Sequence, residues 1–291
     1  MGSRVRALVA CVAFGCAASA LVRAAEPTAA TVTDAEGKEL KVTGLKFGIG
    51  ARRLAFLAEG TDKGPLALEV REPLSTTYAK GVVTYVPLST VEGVKYDYEK
   101  QLASIAVKGL KEPVTGTLQF KGINVLTFDA VADGKNAKFS GGAFTKGNIK
   151  AVAFAGAEPL PERKPGAPWA VQIDQPKAMD PTLKVTGVKF LYQGAGGAEW
   201  LSDTAPVRKG DAFKLDDTVT SFVPVAVDPN TLMAAVEVRT GDGPERIVVL
   251  NLSAEKDGKK GTLVGLLGAS EAGWKLFPLH TIKVLKRAKK E

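Results

Sequence analysis

The chain is nearly devoid of cysteine and histidine, with two cysteines, Cys11 and Cys16, and one imidazole, His280, in 291 residues. Both thiols fall in an N-terminal stretch that has the parts of a secretory leader. Arg4 and Arg6 precede an apolar core from Ala7 to Leu21, and small residues follow before Glu26-Pro27. Cleavage after Ala24 would leave a chain without a thiol, which excludes disulfides, thiolate nucleophiles and cysteine metal sites. Cys16 follows Ala13-Phe14-Gly15, loosely resembling a lipoprotein cleavage box, but the bulky Phe14 and the apolar run to Val22 argue for an ordinary leader. The leader's apolar core is shorter than the ~20 residues a bilayer requires. No comparable run follows it, so no transmembrane segment is expected.

Chemistry is equally sparse. A multi-histidine zinc site cannot be built from one imidazole, and no Gly-x-Ser-x-Gly elbow accompanies His280. Gly48-Ile49-Gly50 and Gly194-Ala195-Gly196-Gly197 lack dinucleotide-loop spacing, and no Gly-Lys pair continues into Ser or Thr as a phosphate loop needs. Ser253 and Lys256 have Ser-x-x-Lys spacing, but they follow the strand-like Ile247–Leu252 and abut the Asp257-Gly258 turn, where the helix that this chemistry needs is absent. These gaps predict no cofactor, no bound metal and no catalytic residue. Paired carboxylates survive the exclusion, because such acids come from distant positions and only their separation in space identifies them. The visible acidic clusters, Asp216-Asp217 and Asp97 with Glu99, sit beside turns and read as solvated.

What is present is ordinary globular composition, 45% hydrophobic and 24% charged, so a packed core is expected. The formal charge of +8 falls to +5 once Arg4, Arg6 and Arg23 leave with the leader. The excess is too mild, and too free of recognition motifs, to imply nucleic acid.

The strongest internal signal is repetition. Leu40-Lys41-Val42-Thr43-Gly44-Leu45-Lys46-Phe47 returns as Leu183-Lys184-Val185-Thr186-Gly187-Val188-Lys189-Phe190. Further matches keep the same order: Tyr85-Val86-Pro87-Leu88 with Phe222-Val223-Pro224-Val225, Asp97–Val107 with Asp228–Val238, and Phe144–Val152 with Phe277–Leu285. The period is too long for a solenoid and predicts tandem globular units. The chain accordingly divides into a leader (1–24), a short linker (25–37), a first module (38–157), a connector (158–180), a second module (181–285) and a basic tail (286–291). Pro159, Pro161, Pro165, Pro168 and Pro176 make the connector extended, with Trp169–Ile173 able to dock as a strand.

Apolar residues alternate with polar ones at Leu118 and Phe120 and at Val236 and Val238, the two-residue period of half-buried strands. Leu88, Val91, Val94, Tyr98 and Leu102 have helical spacing, but Gly93 and the turn-forming Asp228-Pro229-Asn230-Thr231 in the matching region favour a hairpin. Asp133-Gly134, Asp242-Gly243 and Asp257-Gly258 supply positive-φ turns. The fold class that follows is all-β: two tandem, related antiparallel modules, each a sandwich or a barrel, joined by the Pro-rich connector.

Two side chains stand out as candidate ligand contacts. Trp200 and Trp274 follow glycines near loops, and a tryptophan exposed on a β-scaffold can stack on a sugar face. The run Lys283, Lys286, Arg287, Lys289 and Lys290 could attach the chain electrostatically to an anionic surface. The sequence therefore predicts a secreted or periplasmic, non-catalytic binding or structural protein, its partner an envelope or extracellular polymer or another protein. The alternative is a carboxylate-based hydrolase of extracellular glycan.

Overall fold

The computed structural model describes residues 26–58, 63–71, 81–118, 125–142, 149–160, 168–173 and 182–288. The leader, parts of the connector and the last residues of the tail, with Lys289 and Lys290, lie outside them.

Within these residues the regular structure is almost entirely strand, as the alternation predicts. The first half forms β1 (Ala29–Asp34), β2 (Glu39–Phe47), β3 (Ala51–Arg53), β4 (Leu66–Arg71), β5 (Val83–Pro87), β6 (Val91–Asp97), β7 (Leu102–Val107), β8 (Val114–Leu118), β9 (Val125–Ala132), β10 (Lys135–Gly142) and β11 (Ile149–Phe154). The second forms β12 (Trp169–Ile173), β13 (Thr182–Gly194), β14 (Glu199–Ser202), β15 (Thr204–Ala205), β16 (Phe213–Lys214), β17 (Val219–Asp228), β18 (Met233–Thr240), β19 (Arg246–Asn251), β20 (Ser253–Lys256), β21 (Lys259–Ser270), β22 (Gly273–Phe277) and β23 (Ile282–Arg287). The described helical residues are short 3-10 turns such as Leu88–Thr90 and Leu279–Thr281.

Alternation translates directly into burial. On β7 Ala103, Ile105 and Val107 are buried, and on β18 Ala234, Val236 and Val238 are. Each large aliphatic side chain taken out of water in this way stabilises the fold by ~1.5–3 kcal/mol. The stretch with helical spacing is the β6–β7 hairpin, with Asp97 opposite Leu102. Asp133-Gly134 and Asp257-Gly258 take positive φ at both residues and close the β9–β10 and β20–β21 hairpins. At the third Asp-Gly pair, the preceding Gly241 carries the positive φ instead.

All these pairings are antiparallel, and the strands run in one order through each half. In the first half, neighbours follow β10-β9-β2-β1-β11-β6-β7-β8. In the second they follow β22-β21-β13-β12-β23-β17-β18-β19. Irregularities recur at matching places. The register slips between Thr43 and Lys46 and again between Thr186 and Lys189, around Gly44 (φ 65°) and Gly187 (φ 58°). It slips between Thr33 and Asp34 and between Gln172 and Ile173, and between Val91 and Gly93 and between Val219 and Ser221.

Several expectations are corrected. The sheets remain open and no barrel closes among the described strands. Residues 25–37, read as a linker, contain β1, because Val32 is fully buried between β2 and β11. Within the connector, Trp169–Ile173 docks as the strand the sequence allowed, β12, paired on both sides, whereas β23 runs beyond the expected module end into the tail as far as Arg287. Phe222 lies opposite Leu285 as Val94 lies opposite Val152, so register matches Phe222 to Val94 and not to Tyr85. The Pro87-Leu88-Ser89-Thr90 turn has its likeness at Pro278-Leu279-His280-Thr281, where each threonine hydroxyl donates to the proline carbonyl, at 2.8 and 2.7 Å.

The halves are also not held by a connector alone. β5 pairs with β22, placing Tyr85 opposite Trp274 and Val83 opposite Leu276, so one hydrogen-bonded sheet crosses the seam. Gly273 permits the approach, since a Cβ there would lie 2.0 Å from the Tyr85 carbonyl oxygen. Leu54, Val83 and Tyr85 from one side pack with Leu191, Leu267 and Leu276 from the other as a distinct apolar cluster between the two main cores.

Candidate ligand groove and the charged seam

A concavity with charged walls lies in the second half. β15 and β16 pair through Thr204–Lys214 and Ala205–Phe213, projecting the intervening loop beside β19. Proline at 206 leaves only its carbonyl for pairing. That oxygen accepts from Asn251 N–H at 2.8 Å, and Arg208 N–H donates to Val249 O at 2.9 Å. Beyond Arg208 the loop departs from β19, with Gly210 (φ 99°) in its turn. The divergence opens a groove of ≈ 780 Å³ over Phe213, Val219 and Val248, with Ile247 on its edge. Ile247 is 60% exposed, unusual for so large an apolar side chain.

Arg208, Lys209, Lys214 and Arg246 line this groove against two acids, Asp211 and Asp216. Asp216 is engaged in its own turn, accepting from the Thr218 hydroxyl at 2.6 Å and the Thr218 N–H at 2.9 Å. Those bonds, with Lys214 and Arg287 nearby, hold its carboxyl below the usual range. Arg208, Lys209 and Arg246 form no ion pair among the described residues. Such a rim favours an anion, and the apolar floor favours a ligand that is not merely ionic.

A second charged cluster lies at the seam and has the opposite character. Arg52 on β3 reaches across to Glu199 on β14, donating through Nη2 at 2.9 and 3.2 Å, while its Nε lies 3.7 Å from Glu69 on β4. Its guanidinium covers the rings of Tyr85 and Phe56 at 5.1 and 5.8 Å. Burial is the largest influence on Glu69 and pushes its carboxyl upward, with Glu199 adding to the rise and Arg52 and Arg71 opposing it. Burial also works against the Arg52 charge, but Tyr85, Glu199 and Glu69 outweigh it and the guanidinium ends up raised. Tyr85 is likewise pushed well up, mainly by burial. This constellation ties the halves together by burying an arginine between two carboxylates.

The two tryptophans singled out from sequence are separated by role. Trp200 is buried, stacked on Tyr192 at 5.6 Å and 12°, with its far edge against the Gly261 and Gly194 backbone. Trp274 is half-buried on β22 and packs against the seam cluster. Asp97 caps its turn by accepting from Lys100 N–H at 2.9 Å, and that bond lowers its carboxyl. Ser253 and Lys256 lie on β20, and His280 lies in the 3-10 turn before β23. Arg287 is anchored: its guanidinium stacks over Trp169 at 4.1 Å and donates to Asp217 and to the Asp216 carbonyl, both at 2.8 Å.

Neither charged site was legible as a motif. Arg52 and Glu69 come from neighbouring strands but Glu199 from one about 130 residues away, and the groove cations come from the 208–214 loop and from β19. The one local hint was Arg208-Lys209-Gly210-Asp211, a charged turn next to a strand. Comparison of the chain with protein-family models, with curated proteins and with solved structures gives no match in any of the three.

Proposed function

We propose that the chain is an exported, non-catalytic binding protein of the cell envelope or extracellular space, built from two related tandem β-modules, and that it holds an anionic partner in the second-half groove. The observation that carries this reading is the rim itself, where Arg208, Lys209 and Arg246 surround an apolar floor without ion-pair partners among the described residues. Descent of the halves from one duplicated module is supported by the shared strand order and by the register slips that recur at equivalent positions. Export rests on the leader-like N-terminus alone, and a chain recovered outside the cytoplasm beginning at Ala25 would bear it out.

The hydrolase reading would draw its acids from Glu69 and Glu199, two largely buried carboxylates that share Arg52. It is disfavoured because Arg52 engages both carboxylates, occupying the groups that a general acid and base would have to turn toward a substrate. Retention on immobilised polyglutamate and polygalacturonate at low ionic strength tests the binding reading. Salt-sensitive retention that Arg208→Glu with Arg246→Glu abolishes is expected. No retention on any acidic polymer, or release of sugar reducing ends by the purified protein, would overturn it.

A further inference from the structure

Resting on the reading of the groove as an anion-binding site, we infer that its occupant is an extended acidic peptide that adds as a strand to the free edge of β19.

β19 is the last strand of its ladder. Because Val249 O accepts from Arg208 N–H, the Val249 carbonyl points away from β18. Hydrogen-bonding direction alternates along an antiparallel strand, so the N–H and C=O of Ile247 point the same way, toward the groove. Ile247 has no backbone partner on that side among the described residues, and neither does the Val249 N–H once the loop diverges at Arg208. The stretch 246–249 is thus a strip of about 13 Å, at ~3.3 Å per residue, offering peptide donors and acceptors. The 206–208 segment already pairs with the far end of the same strand, so an added peptide would continue a ladder that the chain itself begins.

The chemistry of the partner follows from what surrounds the strip. Side chains alternate along β19, so Arg246 and Val248 stand on one face of the strip and Ile247 and Val249 on the other. A peptide alternating acidic and apolar residues would set its carboxylates on the face of Arg246 and its apolar side chains beside the exposed Ile247. The acids around the strip leave the rim cationic: Glu245 pairs with Arg239, Asp216 is bound in its own turn, and Arg208, Lys209, Lys214 and Arg246 outnumber the two carboxylates of the groove, Asp211 and Asp216. A second copy of this chain fits poorly, because two β19 edges brought together would set one cationic rim against the other. A polysaccharide could meet the charges but has no amide groups spaced to match those of Ile247.

The test uses the full chain and a short synthetic peptide alternating glutamate and valine. Three controls accompany it: the lysine-valine counterpart, a backbone N-methylated form, and polygalacturonate. Binding is read by fluorescence anisotropy, and amide exchange by NMR. The acidic peptide should bind and slow exchange at Ile247 N–H, and Arg208→Glu with Arg246→Glu should weaken it about tenfold or more. The N-methylated and basic peptides should fail. Ile247→Pro removes only an outward-facing N–H, a change that edge strands tolerate, and should also weaken binding. If that variant unfolds, exchange in the parent protein still decides. Equal binding of the N-methylated peptide, or unchanged exchange at Ile247, would overturn strand addition. Binding of polygalacturonate without the peptide would overturn it too while leaving the anion-binding reading intact, and binding of neither would end both.

Discussion

Replacing Arg52 by methionine should destabilise the protein more than any exposed charge removal, and more at neutral than at acidic pH. The arginine sits between Glu69 and Glu199, whose side chains are only 16% and 13% exposed, and its own is 24% exposed. Methionine keeps much of the apolar contact with Tyr85 and Phe56 but leaves two carboxylates facing each other, poorly hydrated and without their cation. Breaking a buried pair in this way costs about 3–5 kcal/mol, and at about 2–4 °C per kcal/mol for a chain of this size the melting temperature should fall by roughly 6–20 °C. The pH dependence has a definite sign. Glu69 in the folded protein already titrates above its usual value, so the folded state holds more protons than the unfolded one between the two values, and stability falls as pH rises through that window. Loss of Arg52 removes an influence that lowers Glu69, which widens the window upward. The deficit of Arg52→Met should therefore be largest above neutrality and shrink on acidification toward about pH 5, as a proton takes the place of the missing cation. Adding Glu69→Gln and Glu199→Gln should restore most of the loss. Urea and thermal melts across pH measure all of this. A variant melting within about 2 °C of the parent, or one whose deficit ignores pH, would refute the claim that the halves are clamped by a buried ion triad.

Two further substitutions probe the packing and the repeated geometry. Gly261→Ala would place a methyl 2.3 Å from the Trp200 ring, an overpacking that should cost about 1–3 kcal/mol and cost less in a Trp200→Phe background; a thermal melt unchanged by Gly261→Ala would mean that the ring is not packed there. Gly44→Ala and Gly187→Ala meet no neighbouring atom, so each should lose only the strain of a positive φ, about 1 kcal/mol. Unequal losses by urea melting would count against the equivalence of the two slips.

The strands themselves were legible in the residues. Period-two alternation around Ile105 and Val236, aspartate-glycine pairs at 133–134 and 257–258, and the dearth of helical stripes act through neighbouring residues, so the local sequence sufficed to determine them. The repeated eight-residue segment marked β2 and β13 for the same reason. Register was less accessible, because Phe222 and Tyr85 look alike in a string of letters, and only the partner strand, β23, decides which position Phe222 occupies. β1 was read as linker since it is short and becomes a strand by lying between two others, whereas the alternation of Trp169–Ile173 already allowed β12 as a strand inside the connector.

Side-chain chemistry depended on tertiary structure altogether. Trp200 became part of the core because Gly194 and Gly261 leave room for its ring, and nothing within a few residues of it records that. Arg52 meets Glu69 through the pairing of β3 with β4, but it meets Glu199 across the seam, where β5 pairs with β22 and brings the two halves into one sheet. The groove exists because the chain after Arg208 leaves β19, a divergence between segments some forty residues apart. Local sequence therefore determined which residues are strand and which faces are apolar, since those depend on period and turn chemistry. Tertiary structure alone decided which charges are paired and which strand edge stays open, because both are set by contacts between segments remote in the chain.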